Sequence, residues 1–409
     1  MKALSASFAA LLLSVLLLRG ANGATETVVY SFCSQYKQHQ CMDGDFPDAG
    51  LINVKGTLYG STVRGGAYGY GTVFSFDPTS GAETALYSFC SQKHCTDGEG
   101  PYASLINVGG TLYGTTVYGG VYSDCTCGTV FSLDPATGAE TVLHSFGSGT
   151  DGTYPDDSVI DVEGALYGTT AEGGAGICYG QFTCGTAFAL DLATGAETVL
   201  YSFCIQNTCP NGAYPHAGLI NIKGALYGTT ESGGAYNGGT VFALDPATGV
   251  ETVLHSFGSG ADGNGPFGGR LINVKGALYG STVGGGAYGD GTVFSINPAT
   301  GAETTVYSFC SRKNCTDGDG PLGSLTNVEG KLYGTTKAGG AHGAKYGGFG
   351  TAFSLDPQTG AETVLHSFDY DGTDGYYPEA GLINVKGTLY GTTYGGGAHG
   401  EGTVFSITP

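Results

Sequence analysis

Seven times the chain sets a short proline frame, Pro-x-(Ala/Gly)-(Gly/Ser)-Leu or a near variant, and fills its second position differently. That position reads Asp48, Tyr102, Asp156, His216, Phe267, Leu322 and Glu379, with Asp157 and Arg270 as departures beside it. Carboxylates and an imidazole gathered at one concavity can exchange protons, so Asp48, Asp156, His216 and Glu379 are the candidates for acid–base chemistry. Tyr102, Phe267, Asp157 and Arg270 add stacking faces and hydrogen-bonding groups suited to a glycan or protein ligand. A variable, solvated rim would read the same way, so everything turns on whether these positions converge.

Other residues offer weaker chemistry. The loop "DYDGTDG" spaces Asp369, Asp371 and Asp374 closely on glycine-rich chain, which suits calcium, the one cofactor the composition suggests. It lacks the terminal glutamate of an EF-hand, and Asp-Gly is also ordinary turn chemistry. A Gly-Gly-Ala-(Tyr/His) phrase places Tyr68, Tyr122, Tyr236, Tyr288, His342 and His399 at equivalent points. Their uniformity predicts packing on the adjacent unit. His144, His255 and His366 alternate with tyrosine late in each unit and read as surface residues.

Ten of the twelve cysteines fall in close pairs: Cys33 with Cys41, Cys90 with Cys95, Cys178 with Cys184, Cys204 with Cys209, and Cys310 with Cys315. These read as local disulfides of an oxidising compartment, and zinc would need four thiolates from separate pairs to converge. Clips this short are expected to tidy loops and to take no part in the core. Cys125 and Cys127, one residue apart, have no such simple assignment. The start of the chain agrees with export. Residues 1–23 combine Lys2, an apolar run from Phe8 to Leu18 and small residues at Ala21 and Gly23, the pattern of a signal peptide. Without Lys2 and Arg19 there remain 13 basic residues against 35 acidic, a formal charge of −22. Nucleic acid and anionic membranes are therefore excluded as partners, and no later run is long and apolar enough to span a bilayer.

The elements that must position the frame come from a repeat. "LYG" followed by Ser/Thr-Thr begins at Leu58, Leu112, Leu166, Leu226, Leu278, Leu332 and Leu389, in units starting near residues 48, 102, 157, 217, 269, 323 and 380. Each unit holds four β-type runs, which in the second are "SLINVGG", "TLYGTTV", "GTVFSLD" and "ETVLHSF". Tight Val-x-Gly turns join the first two runs, and Asp-Pro-Ala-Thr-Gly joins the last two. Four meandering strands per unit predict an all-β, seven-bladed β-propeller over residues 24–409. The chain opens on "ATETVVYSF", a fourth strand, and ends on "GTVFSITP", a third. Paired, they complete the last blade and close the ring, leaving no open edge.

The phrase "LYGTT..GG...GTVFSLDPATGAETVLHSF" resembles the GloVer tandem repeat of secreted bacterial proteins, and more distantly Kelch repeats, from which it departs in having no tryptophan. The resemblance implies an extracytoplasmic protein, periplasmic or secreted, and assigns no reaction. Members often carry a C-terminal sorting signal, a pattern absent before Pro409. Alternate strand directions put the long, variable loops and the proline frame on one face, where ligands are expected. With no complete catalytic signature, the leading expectation is a monomeric binding or interaction scaffold with a glycan or protein ligand. The alternatives are a hydrolase or lyase acting on carbohydrate at the channel mouth, and a structural envelope or matrix component.

Overall fold

The computed structural model of the chain describes residues 24–122, 127–178, 182–206, 208–342 and 347–409. The expected signal peptide, residues 1–23, lies outside these, and so does Cys125 with its proposed relation to Cys127.

The described residues form seven four-stranded antiparallel sheets arranged as a propeller. In the second blade the strands are Ile106–Val108, Thr111–Thr116, Thr129–Leu133 and Glu140–Ser145. First strands of neighbouring blades touch, so they line a central channel, and the fourth strands lie outermost. The turn between first and second strands needs two left-handed residues, which Lys55 and Gly56 adopt at φ 55° and 100°; this is the twist-matched hairpin turn. Asp134 shapes the turn between third and fourth strands, its Oδ1 accepting the Ala136 N–H at 2.9 Å while Gly138 takes φ 71°. Closure follows the expected clasp. Thr25–Ser31 pairs antiparallel with Thr403–Thr408, from Thr25 opposite Thr408 to Ser31 opposite Thr403.

What holds the blades to one another is a ring of phenylalanines. The Phe after each fourth strand meets, edge to face, the Phe of the next blade's third strand: Phe89 on Phe131 at 5.1 Å, Phe146 on Phe188 at 5.1 Å, and across the closure Phe32 on Phe74 at 5.1 Å. All are fully buried. The glycine of "LYG" exists for this core, because a Cβ on Gly114 would stand 2.7 Å from the Phe131 ring.

The outer end of each seam carries polar chemistry. Where the phrase is Tyr-Ser-Phe-Cys, the tyrosine hydroxyl donates to a buried aspartate: Tyr30 to Asp43 at 2.7 Å, Tyr87 to Asp97 at 2.7 Å and Tyr307 to Asp317 at 2.8 Å. Where it is His-Ser-Phe, the imidazole takes over: His144 with Asp151 at 3.3 Å, His255 with Asp262 at 3.2 Å and His366 with Asp374 at 2.8 Å. Asn211 replaces the acid at the remaining seam and meets Tyr201. A glutamate from the next blade completes the station, as Glu83 does 3.2 Å from Tyr30 and Glu140 3.4 Å from Tyr87. One hydroxyl hydrogen cannot serve both Asp43 and Glu83. Burial, with Asp43 nearby, raises Glu83 to about 8, so it can bring its own proton. The three histidines are thus half-buried partners of carboxylates and not the free surface groups their alternation with tyrosine suggested.

All five expected cysteine pairs are disulfides: Cys33–Cys41, Cys90–Cys95, Cys178–Cys184, Cys204–Cys209 and Cys310–Cys315. Their expected confinement to loop tidying is corrected by where the sulfurs sit. Cys41 is buried, in a two-residue strand Gln40–Cys41 that folds back on Tyr36–Lys37, and its carbonyl accepts the N–H groups of Gly44 at 3.0 Å and Gly66 at 2.8 Å. Cys178, Cys184, Cys204 and Cys209 go further and join the core cluster around Phe203 and Phe242. A half-cystine is apolar, so a loop that turns inward over the blade end buries it as it would a small hydrophobe. Cys178–Cys184 and Cys204–Cys209 both belong to the third blade's loops, and their four buried sulfurs lie within 4.8 Å of one another. The convergence zinc would require is therefore present, but the sulfurs are joined in covalent pairs.

Candidate functional site

The proline frame ends where the chain turns from the loop face into the innermost strand. Its seven variable residues, Asp48, Tyr102, Asp156, His216, Phe267, Leu322 and Glu379, all line one cavity of about 670 Å³ at the channel mouth, together with Asp157 and Arg270. A shallower groove of about 530 Å³ continues from it over blades two to four, sharing Asp156 and His216 and walled by Tyr118, Tyr154 and Tyr214. Among the described residues no disulfide cysteine lines the cavity or the groove, so these clips shape the surrounding loops without reaching the site.

Charge is distributed unevenly round this mouth. His216 stands between two carboxylates, its Nδ1 2.5 Å from Asp156 and its Nε2 3.3 Å from Glu231. Burial opposes its charge, but hydrogen bonds to those carboxylates outweigh it and raise the imidazolium to about 10. Such a histidine stays protonated at neutral pH, a cation held between two carboxylates. Phe267 packs on the same ring at 4.6 Å. Across the mouth Asp48 lies half-buried beside Glu379, and desolvation followed by the Glu379 charge and hydrogen bond push it well above the ordinary carboxylate range. Lys337 anchors Glu379 at 2.9 Å. Burial also raises Asp157 to about 6, although it accepts the N–H groups of Ser158 and Gly218, both at 2.5 Å, and faces the Arg270 charge.

The family profile of the Gloeobacter/Verrucomicrobia repeat matches residues 18–182 and 177–405. The chain belongs to this repeat family. No curated protein matches it. Among solved structures, the extracellular domain of a hybrid two-component system from B. thetaiotaomicron is similar at 10% identity and TM-score 0.54. The match covers 89% of this chain and 38% of that one, so the chain spans about two fifths of that protein's length. A structure of the same extracellular domain, described as a one-component system, matches at 14% identity and TM-score 0.53, covering 89% and 40%. An oligogalacturonate lyase in complex with manganese matches at 12% identity and TM-score 0.49, covering 86% of each chain.

Within the Gloeobacter/Verrucomicrobia repeat frame, departures mark the mouth. Just before the proline, three blades hold a left-handed glycine, Gly100, Gly265 and Gly320, while four hold an aromatic at the same backbone: Phe46, Tyr154, Tyr214 and Tyr377, at φ 55° to 59°. A bulky side chain there costs roughly 1 kcal/mol or more; of the four, Tyr154 and Tyr214 wall the groove, whereas Phe46 and Tyr377 line neither groove nor cavity, Phe46 stacking on Tyr394 at 4.7 Å. The glycine-to-aromatic switch is visible in the sequence and was the missed signal for Tyr154 and Tyr214. Tyr118, Glu231 and Lys337, also missed, sit just past the Ser/Thr-Thr of the second strand, a second point where the repeat varies.

The other expectations land elsewhere. Asp371 caps its own turn, accepting from Thr373 and Asp374, and Asp374 is taken by His366 and the Asp369 N–H. Among the described residues Asp374 groups with Glu26 and His366, not with Asp369 and Asp371. Tyr68, Tyr236 and Tyr288 are 47%, 60% and 56% exposed, so the Gly-Gly-Ala-Tyr rings face solvent instead of packing on the adjacent blade.

Proposed function

We propose that this protein is an extracytoplasmic binding scaffold whose ligand, a glycan, lies on the loop face with its anchor in the channel mouth. The observation that carries the reading is the continuous cavity and groove, because the positions that vary from blade to blade converge there on a strip of rings from Tyr118 and Tyr154 through Tyr214 and His216 to Phe267. Aromatic faces with interspersed carboxylates suit sugar rings, whose C–H faces stack and whose hydroxyls donate. A histidine fixed as its cation favours holding over turning over. The extracytoplasmic placement is supported by the disulfides and the signal-peptide pattern. Calorimetric titration of residues 24–409 with oligosaccharides at millimolar concentration tests it; heats that saturate are expected, and their absence across a broad panel would overturn it.

A second reading is carbohydrate cleavage at the same mouth, favoured by the close pair of carboxylates Asp48 and Glu379, of which Asp48 is pushed up by desolvation and by the Glu379 charge. Turnover lost in a D48N/E379Q variant would establish it, and turnover unchanged in that variant would exclude these residues.

A further inference from the structure

We infer that the mouth contains a saccharide subsite built by blade five, in which Phe267 stacks a neutral sugar ring and Arg270 hydrogen-bonds it. This rests on the glycan-binding reading above. The first observation is an insertion. Six blades place three residues between the frame's proline and the buried Leu or Val, whereas blade five places four, Phe267 to Arg270 between Pro266 and Leu271. The extra residue is absorbed by a three-residue turn, with Gly269 N–H donating to the Phe267 carbonyl at 2.9 Å and Gly268 at φ 75°. That turn is an uncommon and strained one.

The second observation is what the insertion breaks. In five blades a Ser or Thr of the second strand donates to a carbonyl in the next blade's frame: Ser61 to Ala103, Thr115 to Asp157, Thr169 to Ala217, Thr335 to Ala380 and Thr392 to Ala49. The two exceptions flank the insertion. Thr229 Oγ1 and Ser281 Oγ are buried without a partner, and Gly269 is wedged into the second seam, where a Cβ would stand 3.0 Å from Ser281 Oγ. The ring forgoes two of its repeated hydrogen bonds at the one place where Phe267 and Arg270 enter the cavity.

The third observation sets the ligand class. Arg270 lines the cavity and, among the described residues, makes no ion pair within 4.0 Å; the nearby Asp157 carboxylate feels its charge without such a contact, which leaves the guanidinium donors available to a ligand. Asp156, which holds His216 through Oδ2 and lines the same cavity, keeps a buried Oδ1 that lacks a donor. A hydroxylated ring answers both needs, since each hydroxyl can donate and accept. An anionic ligand is opposed, because Asp48, Asp156, Asp157 and Glu379 outnumber His216 and Arg270 along the wall and the whole chain carries −20.

Titrate residues 24–409 with cellohexaose, mannohexaose, maltohexaose and xylohexaose, using hexagalacturonate as the charged comparison. At least one neutral oligomer should bind more tightly than the uronate. Phe267→Ala and Arg270→Met should each weaken that oligomer about tenfold or more while the melting midpoint stays near that of the parent, and Phe267→Tyr should restore it. Neutral binding that both variants leave intact but Tyr214→Ala weakens would overturn the subsite and spare the glycan reading. Tighter binding of the uronate would overturn the neutral class, and no binding of any probe would overturn the subsite and the glycan reading together.

Discussion

The outer seams and the channel mouth use the same side chains to opposite ends. Both pair carboxylates with an imidazole or an aromatic hydroxyl, yet the seam stations repeat blade after blade with distances between 2.7 and 3.3 Å, while no two blades contribute the same set to the mouth. Chemistry that is copied at every seam answers a need every seam has, namely docking one blade on the next. Chemistry that differs at every blade inside a constant frame answers a need of the assembled ring. In a repeat protein the chain is thus its own control, and departure from the internal pattern is the better guide to function than residue type alone.

The largest effect expected from breaking this comparison lies at the clasp. Removing Thr403–Thr408 leaves Thr25–Ser31 without its partner and exposes an edge of the last blade; the melting midpoint should fall by more than about 10 °C, or the chain should fail to fold. Next comes a seam acid. Asp97 is fully buried and accepts from Tyr87, from the Ser91 N–H and hydroxyl, and from the Gln92 N–H. Asp97→Ala should cost about 3 kcal/mol in denaturant unfolding, because several donors are left unpaired. The mouth carboxylate Asp48, whose charged form desolvation and the neighbouring Glu379 charge disfavour, should tolerate Asp48→Asn within about 1 kcal/mol.

The seams also predict a pH dependence. Burial is the main cause that raises Glu26, Glu140, Glu251 and Glu362 to about 7 and Glu83 to about 8. A carboxyl whose folded pKa is raised binds its proton more tightly when folded, so its contribution is fully present below pH 4.5 and lost as pH rises through the folded value. Buried aspartates act in the other direction at the acid end: burial alone would raise Asp317, but hydrogen bonds from Ser311, Tyr307 and Arg312 outweigh it and hold the carboxyl below its usual range. Melting midpoints should therefore fall between pH 5 and pH 8. A midpoint that rises steadily over that interval would contradict the protonated seam. Deleting Gly268, which restores the frame length of the other blades, should act in the opposite direction and make unfolding harder by up to about 1 kcal/mol per recovered hydrogen bond at Thr229 and Ser281.

Much of the fold was legible in the sequence because a propeller blade announces itself through period, turn chemistry and strand pattern. The strands read from "TLYGTTV" and "ETVLHSF" begin where the structure begins them, at Thr111 and Glu140. The convergence of Asp48, Tyr102, Asp156, His216, Phe267, Leu322 and Glu379 was legible too, since equal positions in equal blades must lie on one circle. The seam stations were not. Each joins a fourth strand, a loop and the next blade's glutamate, so pairing such as Tyr30 with Glu83 spans 53 residues and leaves no local mark. A trace existed nonetheless, because tyrosine accompanies the cysteine loops at Cys33, Cys90, Cys204 and Cys310, and histidine accompanies the loops without cysteine. Spacing gave the pairing of Cys33 with Cys41 but not the burial of Cys41, which depends on how its loop folds over the blade. The exposed rings of Tyr68 and Tyr288 depart from the packing that a uniform position suggests, because a solvent-facing position can be equally uniform.

The most direct test of the division between copied seams and a functional mouth is a crystal structure of residues 24–409 soaked with the best-binding neutral oligosaccharide. Sugar density is expected to run from the groove at Tyr154 and Tyr214 into the mouth, with a ring on Phe267 and a hydroxyl near Arg270. Density confined to the outer seams or to the exposed Gly-Gly-Ala-Tyr rings, with the mouth holding solvent only, would contradict it.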